Sequence, residues 1–205
     1  MAEAGAGTDE AAVNRELWTR ANSEYADEHA VRAWAAEDIT WGNFNVPEQQ
    51  LRVLGDVRGL DVVELGCGTA YFSAWLAQRG ARPIGVDVTP AQLESARRCQ
   101  DRFGISFPFI EADAAKVPLP SSHFDLAISE CGASLWCDPA RWVPEAARLL
   151  RPGREACVPH HHPPGHRVLP GTGRARPPRT LSPATPGTPP GDVAVRYPVP
   201  PRHGE

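Results

Sequence analysis

The sequence lacks a long apolar run, a basic N-terminal segment and an excess of positive charge. No stretch approaches 18 consecutive apolar residues, and the N-terminus, MAEAGAGTDEAAVNRE, is acidic, so we expect neither a membrane-spanning helix nor a signal peptide. The 21 basic and 25 acidic side chains give a net charge of -4, which offers DNA, RNA or an anionic membrane no general attraction. We therefore expect a cytoplasmic protein with no nucleic-acid or membrane partner.

Cysteine is too sparse and too irregularly spaced for a disulfide framework or a zinc site. The chain has five cysteines, and no two of them form a C-x2-C pair. A chain of 205 residues with 41% apolar content can bury a core without cross-links. We expect free thiols, no metal and one globular domain. The five are Cys67, Cys99, Cys131, Cys137 and Cys157.

Proline and arginine are concentrated at the end of the chain, where acidic residues are scarce. Residues 151–205 hold 14 of the 22 prolines and eight arginines, but only three of the 25 acidic residues. Proline blocks both helices and strand ladders, and this segment has almost no apolar periodicity. We predict that residues 154–205 are a Pro/Arg-rich tail that is disordered or encoded out of frame.

Residues 1–150 show the opposite pattern, in which short apolar runs alternate with amphipathic runs. Such alternation predicts βα units and a mainly parallel sheet. The predicted strands are 61–65, 83–88, 105–110 and 124–129, and the predicted helices after them are 71–79, 90–103 and 139–150. Helical spacing over 13–34 predicts one or two further helices, followed by a short helix at 48–54. We therefore divide the chain into a helical flank or lid (1–54), a sheet domain (55–153) and the tail (154–205).

Two features at the ends of the first two strands point to a bound ligand. Glu64-Leu65-Gly66-Cys67-Gly68-Thr69 turns sharply, and glycine lets a ligand approach the backbone there. Asp87 ends the second strand, where a carboxylate can accept two hydrogen bonds from a ribose diol. Taken singly, a lone G-x-G is often a plain turn, and an acidic residue in such a turn is often a helix cap. In this order, with Asp113 and Ala114 closing the third strand, these features predict a nucleoside site.

Three stretches of sequence resemble a known family. VVELGCGTAYFSAWLAQRGARPIGVDVTPAQLESARR, followed by EADAAKVPLPSSHFDLAISE and EAARLLRPG, is similar to the class I S-adenosylmethionine-dependent methyltransferases that act on small molecules. The resemblance covers residues 41–153 and implies a Rossmann-like α/β fold, S-adenosylmethionine as cofactor and a small-molecule methyl acceptor. Tyr71 stands where the dinucleotide fingerprint G-x-G-x-x-G has a small residue, which disfavours an NAD-dependent oxidoreductase.

The resemblance also implies a role for residues at each strand end. It assigns the methionine part of the cofactor to Glu64, Gly66, Cys67 and Gly68, the ribose to Asp87 and Val88, the adenine to Asp113 and Ala114, and the sulfonium side to Ser129 and Glu130. By this resemblance, Glu64 faces the positively charged amino group of S-adenosylmethionine. A dinucleotide would instead place a pyrophosphate beside the glycines.

Aromatic residues and two histidines are the candidates for the acceptor side. The aromatic residues predicted to bind the substrate are Trp18, Tyr25, Trp41 and Trp136. Aromatic residues near helical spacing are more often core, so this alternative stays open for each of them. His29 and His123 are the only histidines before the tail, and an exposed histidine without a role is the commoner case. We assign no catalytic base, because alignment of the methyl group with its acceptor does most of the work.

The tail departs from the family pattern just after Arg151-Pro152-Gly153. The family continues with a buried strand and an antiparallel pair, whereas this chain continues with proline-rich sequence. Shifted by one base, VPHHHPPGHRVL is compatible with FLTTTPLVIVC, a β-branched apolar run suited to a buried strand. We hypothesise a one-base shift near Gly153 that leaves the sheet incomplete at its C-terminal strands. The alternatives are a proline-rich recognition segment and a metal site at His160-His161-His162 with His166.

The sequence therefore predicts an enzyme that transfers a methyl group from S-adenosylmethionine to a small-molecule acceptor by in-line displacement. The alternative is a non-catalytic remnant that keeps part of the cofactor site. These patterns leave the acceptor atom and the oligomeric state open.

Overall fold

The computed structural model describes residues 10–42, 45–160 and 193–198. In chain order their elements are α1 (Glu10–Trp34), β1 (Thr40–Trp41), β2 (Val46–Pro47), α2 (Glu48–Leu51), β3 (Asp61–Leu65), α3 (Tyr71–Gln78), β4 (Arg82–Asp87), α4 (Pro90–Phe103), β5 (Phe109–Glu111), β6 (Phe124–Ile128), α5 (Ala133–Trp136), α6 (Pro139–Leu149), β7 (Leu150–His160) and β8 (Val193–Pro198). β1 and β2 pair antiparallel, and the other strands of this part of the chain form one sheet.

The sheet has the strand order β5-β4-β3-β6-β7-β8. Its neighbouring strands are parallel, except that β8 runs antiparallel to β7. Val63 on β3 lies opposite Ile84 on β4 and Ala127 on β6. The chain builds outward from β3 to β5 and then returns to place β6 beside β3, which creates a crevice at the carboxyl ends of these strands. The predicted Rossmann-like, mainly parallel sheet is confirmed.

Successive residues of β3 pack on opposite faces of the sheet. Val62 packs in a core cluster with Phe72 and Leu76 of α3, whereas Val63 packs in a second cluster with Leu149 of α6. Both valines are fully buried. Burial on both faces explains why the strand reads as a near-continuous apolar run rather than as an alternating one.

α1 is a single helix of 25 residues, where the sequence predicted one or two. Its C-terminal end is fixed by Trp34, which is buried, stacks between Phe103 and Phe107 and donates from Nε1 to the Thr69 oxygen at 2.7 Å. The N-terminal half instead leaves Val13 exposed. None of the described helices combines the length and the apolarity that a membrane crossing needs.

Element boundaries differ from the predictions at two places. The third strand covers only Phe109–Glu111, because Pro108 has no N–H for a ladder and Phe107 packs against Trp34 instead. The short helix α2 ends at Leu51, since Arg52 adopts a left-handed backbone with φ 51°. In addition, the sequence did not predict α5.

The structure differs most from the prediction after residue 150. β7 pairs with β6 and β8 pairs with β7, where the sequence predicted a tail without strands. The register shifts between the pairs Phe124–Leu150 and Leu126–Glu155, so the intervening Pro152 does not interrupt the ladder. Without β7, the edge of β6 would present unpaired backbone groups, which are a template for another strand. The shifted frame stays a prediction, and His161, His162 and His166 lie outside the described residues.

Ion pairs tie together the end of the sheet at which β3 and β6 begin, which we call the amino edge. Asp61 pairs with Arg82 at 2.6 Å and with Arg151 at 2.9 Å. Asp125 pairs with Arg151 at 2.7 Å and with Arg154 at 3.1 Å. The network therefore joins four neighbouring strands, including the first residues of β7.

Candidate functional site

A cavity of about 360 Å³ lies at the opposite end of the sheet, which we call the carboxyl edge, and α1 supplies one of its walls. Loops that follow β3, β4, β5 and β6 supply the other walls, because parallel strands bring their carboxyl ends to one edge. The predicted site residues that line the cavity are Gly66, Cys67, Gly68, Asp87, Val88, Asp113, Ala114, Glu130, Trp18 and Trp136.

The glycine loop after β3 is folded tightly against its neighbours. The N–H groups of Gly66 and Cys67 both donate to the Val86 oxygen, at 2.8 and 2.9 Å. Gly66 has a φ of 74°, and a Cβ on it would come within 2.8 Å of the Gly132 Cα and overlap the Ala133 backbone. Glycine at position 66 thus meets two requirements, a left-handed backbone and a contact between two chain segments.

Asp87 places a carboxylate at the cavity wall at the end of β4. Its Oδ2 accepts from the Gly68 N–H at 2.8 Å, and its Oδ1 accepts from the Thr89 N–H at 2.8 Å. The side chain is largely buried, and this burial raises its pKa, against the lowering effect of those two hydrogen bonds. Asp87 therefore ties the glycine loop to the next strand.

Glu64 does not line the cavity, contrary to the direct contact expected from the resemblance. It is 2% exposed, and its Oε2 accepts from the Ser73 N–H at 3.0 Å and from the Ser73 Oγ at 2.5 Å. Burial raises the pKa of Glu64 to about 8, so the side chain is largely protonated at neutral pH. Glu64 fixes the first turn of α3 against β3 and supports the glycine loop from below.

Asp113 and Ala114 line the cavity after β5. The Asp113 Oδ1 accepts from the Ala115 N–H at 2.9 Å, and its Oδ2 accepts from Arg141 Nη2 at 3.1 Å. The Arg141 guanidinium also lies 3.7 Å from Glu10 at the start of α1. The covering helix is therefore linked through Arg141 to the segment predicted to contact an adenine.

Ser129 and Glu130 follow β6 and play different parts. Ser129 is buried and lies outside the cavity lining, where its Oγ donates to the Leu65 oxygen at 2.8 Å and accepts from the Ser134 N–H at 2.9 Å. It joins the ends of β3 and β6. Glu130 lines the cavity and accepts from Tyr71, Gly42 and Cys131.

The four aromatic candidates for the substrate side are separated by the structure. Trp18 and Trp136 both line the cavity and meet edge to face, with ring centroids 5.2 Å apart. Trp41 is a correction, because it is 1% exposed in the core, packs on Phe72 and donates to Glu48 Oε2 at 2.6 Å. The side chain of Tyr25 lies outside the described part of the structure.

The two histidine candidates also differ in position. His29 lines the cavity from α1. His123 lies at the amino edge, just before β6, where its ring meets that of Phe124 at 5.1 Å. Only His29 is therefore placed near a ligand in the cavity.

Negative charge dominates the cavity wall. Glu10, Asp87, Asp113 and Glu130 line it, and Arg141 is the only lysine or arginine among the lining residues that the structure describes. Asp113 and Glu10 already engage Arg141. The field of the cavity consequently favours a cationic ligand over a phosphate group.

A family model described as a methyltransferase domain matches residues 63–158. The match includes the glycine loop, Asp87, Asp113 and Glu130, which are the parts of the chain that meet at the cavity. Over these residues the chain is therefore similar to methyltransferase domains.

Curated relatives named as methyltransferases match about 100 residues of this chain. The 2-methyl-6-phytyl-1,4-hydroquinone methyltransferase 2, chloroplastic, of Oryza sativa subsp. japonica is 36% identical over 104 residues, which are 49% of this chain and 29% of that protein. The demethylmenaquinone methyltransferase of Thermus thermophilus is 32% identical over 105 residues, which are 50% of this chain and 48% of that protein. The matched segment thus spans half or less of these relatives.

Solved structures share the fold at lower sequence identity. The [4+2]-cyclase SpnF superposes with a TM-score of 0.58 and 20% identity, and the alignment covers 75% of this chain and 62% of that chain. Likeness at this identity concerns the fold alone. A cyclase with the same fold illustrates that the reaction must be argued from the site.

Three contributions to the cavity were not predicted. Gly132 lets the loop after β6 cross the glycine loop, since a Cβ on it would lie 2.8 Å from the Leu65 oxygen and overlap Gly66. Tyr71 and Arg141 line the cavity from the starts of α3 and α6. The contacts of all three residues join segments that are distant in sequence, so local patterns do not reveal them. The one signal in the sequence was that Gly132 comes shortly after a predicted strand.

Proposed function

We propose that this chain transfers a methyl group from S-adenosylmethionine to a small-molecule acceptor. One observation carries the proposal: the glycine loop after β3 and the Asp87 carboxylate at the end of β4 line the same cavity, together with Asp113 and Glu130. The family model described as a methyltransferase domain matches the segment that contains all of these residues, which supports the proposal.

The residues present fit the cofactor. Gly68 leaves the backbone open to close approach, since a Cβ on it would meet only Gln92 Oε1 at 3.8 Å. Asp87 supplies a carboxylate for two ribose hydroxyls, and the acidic wall suits a sulfonium cation. A dinucleotide fits less well, because its pyrophosphate would meet these carboxylates. The Tyr71 side chain also occupies the third position of the fingerprint, where close packing needs a small residue.

The chain's own residues would bind and orient the two reactants. In this proposal Asp87 and Val88 bind the ribose, Asp113 and Ala114 the adenine, and Cys67 and Gly68 the methionine part. When bound, S-adenosylmethionine supplies a methyl group that is already activated by its positive sulfur. The protein's contribution is therefore alignment and exclusion of water, with α1 covering the cavity as a lid.

The acceptor is proposed to be a small organic molecule. Two relatives are named for a hydroquinone and for demethylmenaquinone, which supports this class. Trp18 and Trp136 offer apolar ring surface in the same cavity, and such surface suits an aromatic acceptor.

Isothermal titration of the purified chain with S-adenosylmethionine, S-adenosylhomocysteine and NAD tests the cofactor. We expect measurable heat with the first two ligands and none with NAD, because only the first two lack a pyrophosphate. Heat with NAD alone, or with none of the three on a folded protein, would contradict the proposal.

Turnover separates the enzyme from a remnant that binds cofactor without catalysis. Transfer of a labelled methyl group to any member of a panel of phenols, hydroquinones and amines would support the enzyme. Binding of S-adenosylmethionine without transfer to any of them would favour the remnant.

A further inference from the structure

Three donors engage the Glu130 carboxylate from three different parts of the chain. Its Oε1 accepts from the Gly42 N–H at 3.1 Å and from Cys131 Sγ at 3.1 Å. Its Oε2 accepts from the Tyr71 hydroxyl at 3.1 Å. An ionised carboxylate has about four acceptor positions, so the donors of the described residues leave one position on Oε2 for a ligand in the cavity that Glu130 lines.

Tyr71 keeps its role as a donor over the physiological pH range. Burial, followed by the charge of Glu130, raises the pKa of its hydroxyl well above the ordinary value. The hydroxyl therefore stays protonated, and it donates its single hydrogen bond to Glu130. Its remaining capacity is to accept a hydrogen bond, which makes it a poor partner for an anion.

The wall around Glu130 has no spare positive charge within the described lining. Arg141, the one arginine there, is engaged by Asp113 and Glu10. Apart from Arg141, no lysine or arginine of the described lining would offset the charges of Glu130 and Asp87 for an acceptor with a carboxylate. Two like charges about 4 Å apart repel by a few kcal/mol near a protein surface.

We propose that Glu130 sets the acceptor class of this site, selecting an uncharged hydroxyl-bearing acceptor and rejecting a carboxylate-bearing one. The inference rests on the proposed methyl transfer, because it assigns the acceptor to the same cavity. Glu130 is the group that receives the acceptor's proton, and Tyr71 and Gly42 are positioning residues that orient its carboxylate.

The proton and the electron pairs balance in this assignment. The acceptor oxygen forms a bond to the methyl carbon as the carbon–sulfur bond breaks, and the electron pair of that bond goes to sulfur. The hydroxyl proton goes to the open position on Glu130 Oε2. Glu130 then returns this proton to water when the methylated product leaves.

A pair of matched probes tests the assignment without knowledge of the natural acceptor. Hydroquinone and gentisate share one ring and two hydroxyls, and gentisate adds a single carboxylate. Their dissociation constants are measured by ligand-observed NMR, without oxygen, on the chain saturated with S-adenosylhomocysteine. We expect hydroquinone to bind at least about tenfold more tightly, as repulsion from one nearby unit charge predicts.

Glu130→Gln removes the charge and keeps the shape of the side chain. We expect the preference for hydroquinone to fall below about threefold, because the variant lacks the charge that repels the gentisate carboxylate. The two probes are compared at a concentration of S-adenosylhomocysteine that saturates the variant. The control is Glu94→Gln, since Glu94 is an exposed residue of α4 that pairs with Arg98 outside the cavity lining. This control should keep the tenfold preference.

Several outcomes would overturn the assignment. These are equal binding of the two probes to the wild type, binding of neither probe, or a preference that Glu130→Gln leaves intact. If Glu130→Gln does not fold, the dissociation constants of hydroquinone and gentisate on the wild type still test the assignment. Failure of the wild type to bind S-adenosylhomocysteine would contradict the proposed function instead, so the two failures are distinguishable.

Discussion

The two edges of the same sheet differ in the partners of most of their carboxylates, although Asp113 at the carboxyl edge also pairs with an arginine. At the amino edge, Asp61 and Asp125 each pair with two arginines. Hydrogen bonds from Arg82 and Arg151 lower the pKa of Asp61 to about 2. This edge therefore holds its carboxylates ionised and uses them to join β3, β4, β6 and β7.

At the carboxyl edge, Glu64, Asp87 and Glu130 accept from backbone N–H, hydroxyl and thiol groups instead. Burial raises the pKa values of Glu64 and Asp87. Burying a carboxyl group without a cationic partner costs folding free energy once the group is ionised. The comparison indicates that the ion pairs of the amino edge stabilise the sheet, whereas burial of Glu64 and Asp87 at the carboxyl edge lowers stability at a pH where they ionise.

The largest expected effect concerns the close backbone contact at the carboxyl edge. Gly132→Ala should lower the free energy of unfolding by about 3 kcal/mol or more, because its Cβ would overlap Gly66 and neither backbone segment can move freely. Urea unfolding measures this loss. Gly55→Ala is the matched control, since Gly55 has a φ of 66° but open space around it, and it should lose only about 1 kcal/mol from strain. Equal losses would mean that the contact is unimportant.

The next effect is a pH dependence that originates at Glu64. Its folded pKa of about 8 lies above the ordinary value of 4.5, so its contribution to stability is present below pH 4.5 and is lost as the pH rises through about 8. Glu64→Gln should flatten this decline. At pH 8 its free energy of unfolding should exceed that of the wild type by about 2 kcal/mol. Urea unfolding at several pH values checks this. Parallel pH profiles for the two proteins would contradict it.

The amino edge should show the opposite pH dependence. The folded pKa of Asp61 lies below its ordinary value of 3.8, so its contribution is present above pH 3.8 and is lost as the pH falls through about 2. Asp61→Asn should cost about 1 kcal/mol at neutral pH, because screening limits pairs with exposed arginines. The deficit should shrink in acid. The control is Asp56→Asn, which breaks a surface pair with Arg58 and should lower the free energy of unfolding by less. If the deficit of Asp61→Asn instead grew as the pH falls, the prediction would be wrong.

The smallest effect concerns the covering helix. Glu10→Gln weakens the contact of α1 with Arg141 and should speed dissociation of S-adenosylhomocysteine about twofold, since an exposed ion pair contributes under 1 kcal/mol. Stopped-flow fluorescence of Trp18 and Trp136 follows this step. Glu16→Gln, whose side chain pairs with Arg20 on the same helix, should leave the rate unchanged. Identical rates in both variants would show that α1 does not gate the site.

Backbone requirements and topology made much of the fold predictable. The glycine loop and Asp87 follow strands that must end at one edge, so their meeting at the cavity follows from βα alternation. The proline-rich composition of the tail predicted no strand there, yet β7 pairs with β6. Pairing with the otherwise open edge of β6 outweighs the local preference of Pro152 and Pro159 against a strand.

The rest of the site depends on contacts that no local pattern encodes. Trp18 and Trp41 are the same residue type, yet one lines the cavity and the other lies in the core. Glu64 was correctly placed at the end of β3, but its side-chain direction is set by Ser73, nine residues later. Such directions follow from tertiary packing and not from spacing.

Titration of two single variants with S-adenosylmethionine tests the contrast between the edges most directly. Asp87→Asn should weaken binding about thirtyfold, because hydrogen bonds to a charged group contribute about 2 kcal/mol, while thermal unfolding shows that it remains folded. Asp61→Asn should be less stable and keep the wild-type Kd within about twofold, as expected for a site at the other end of the sheet. An unchanged Kd for Asp87→Asn, or equal weakening in both variants, would contradict the account.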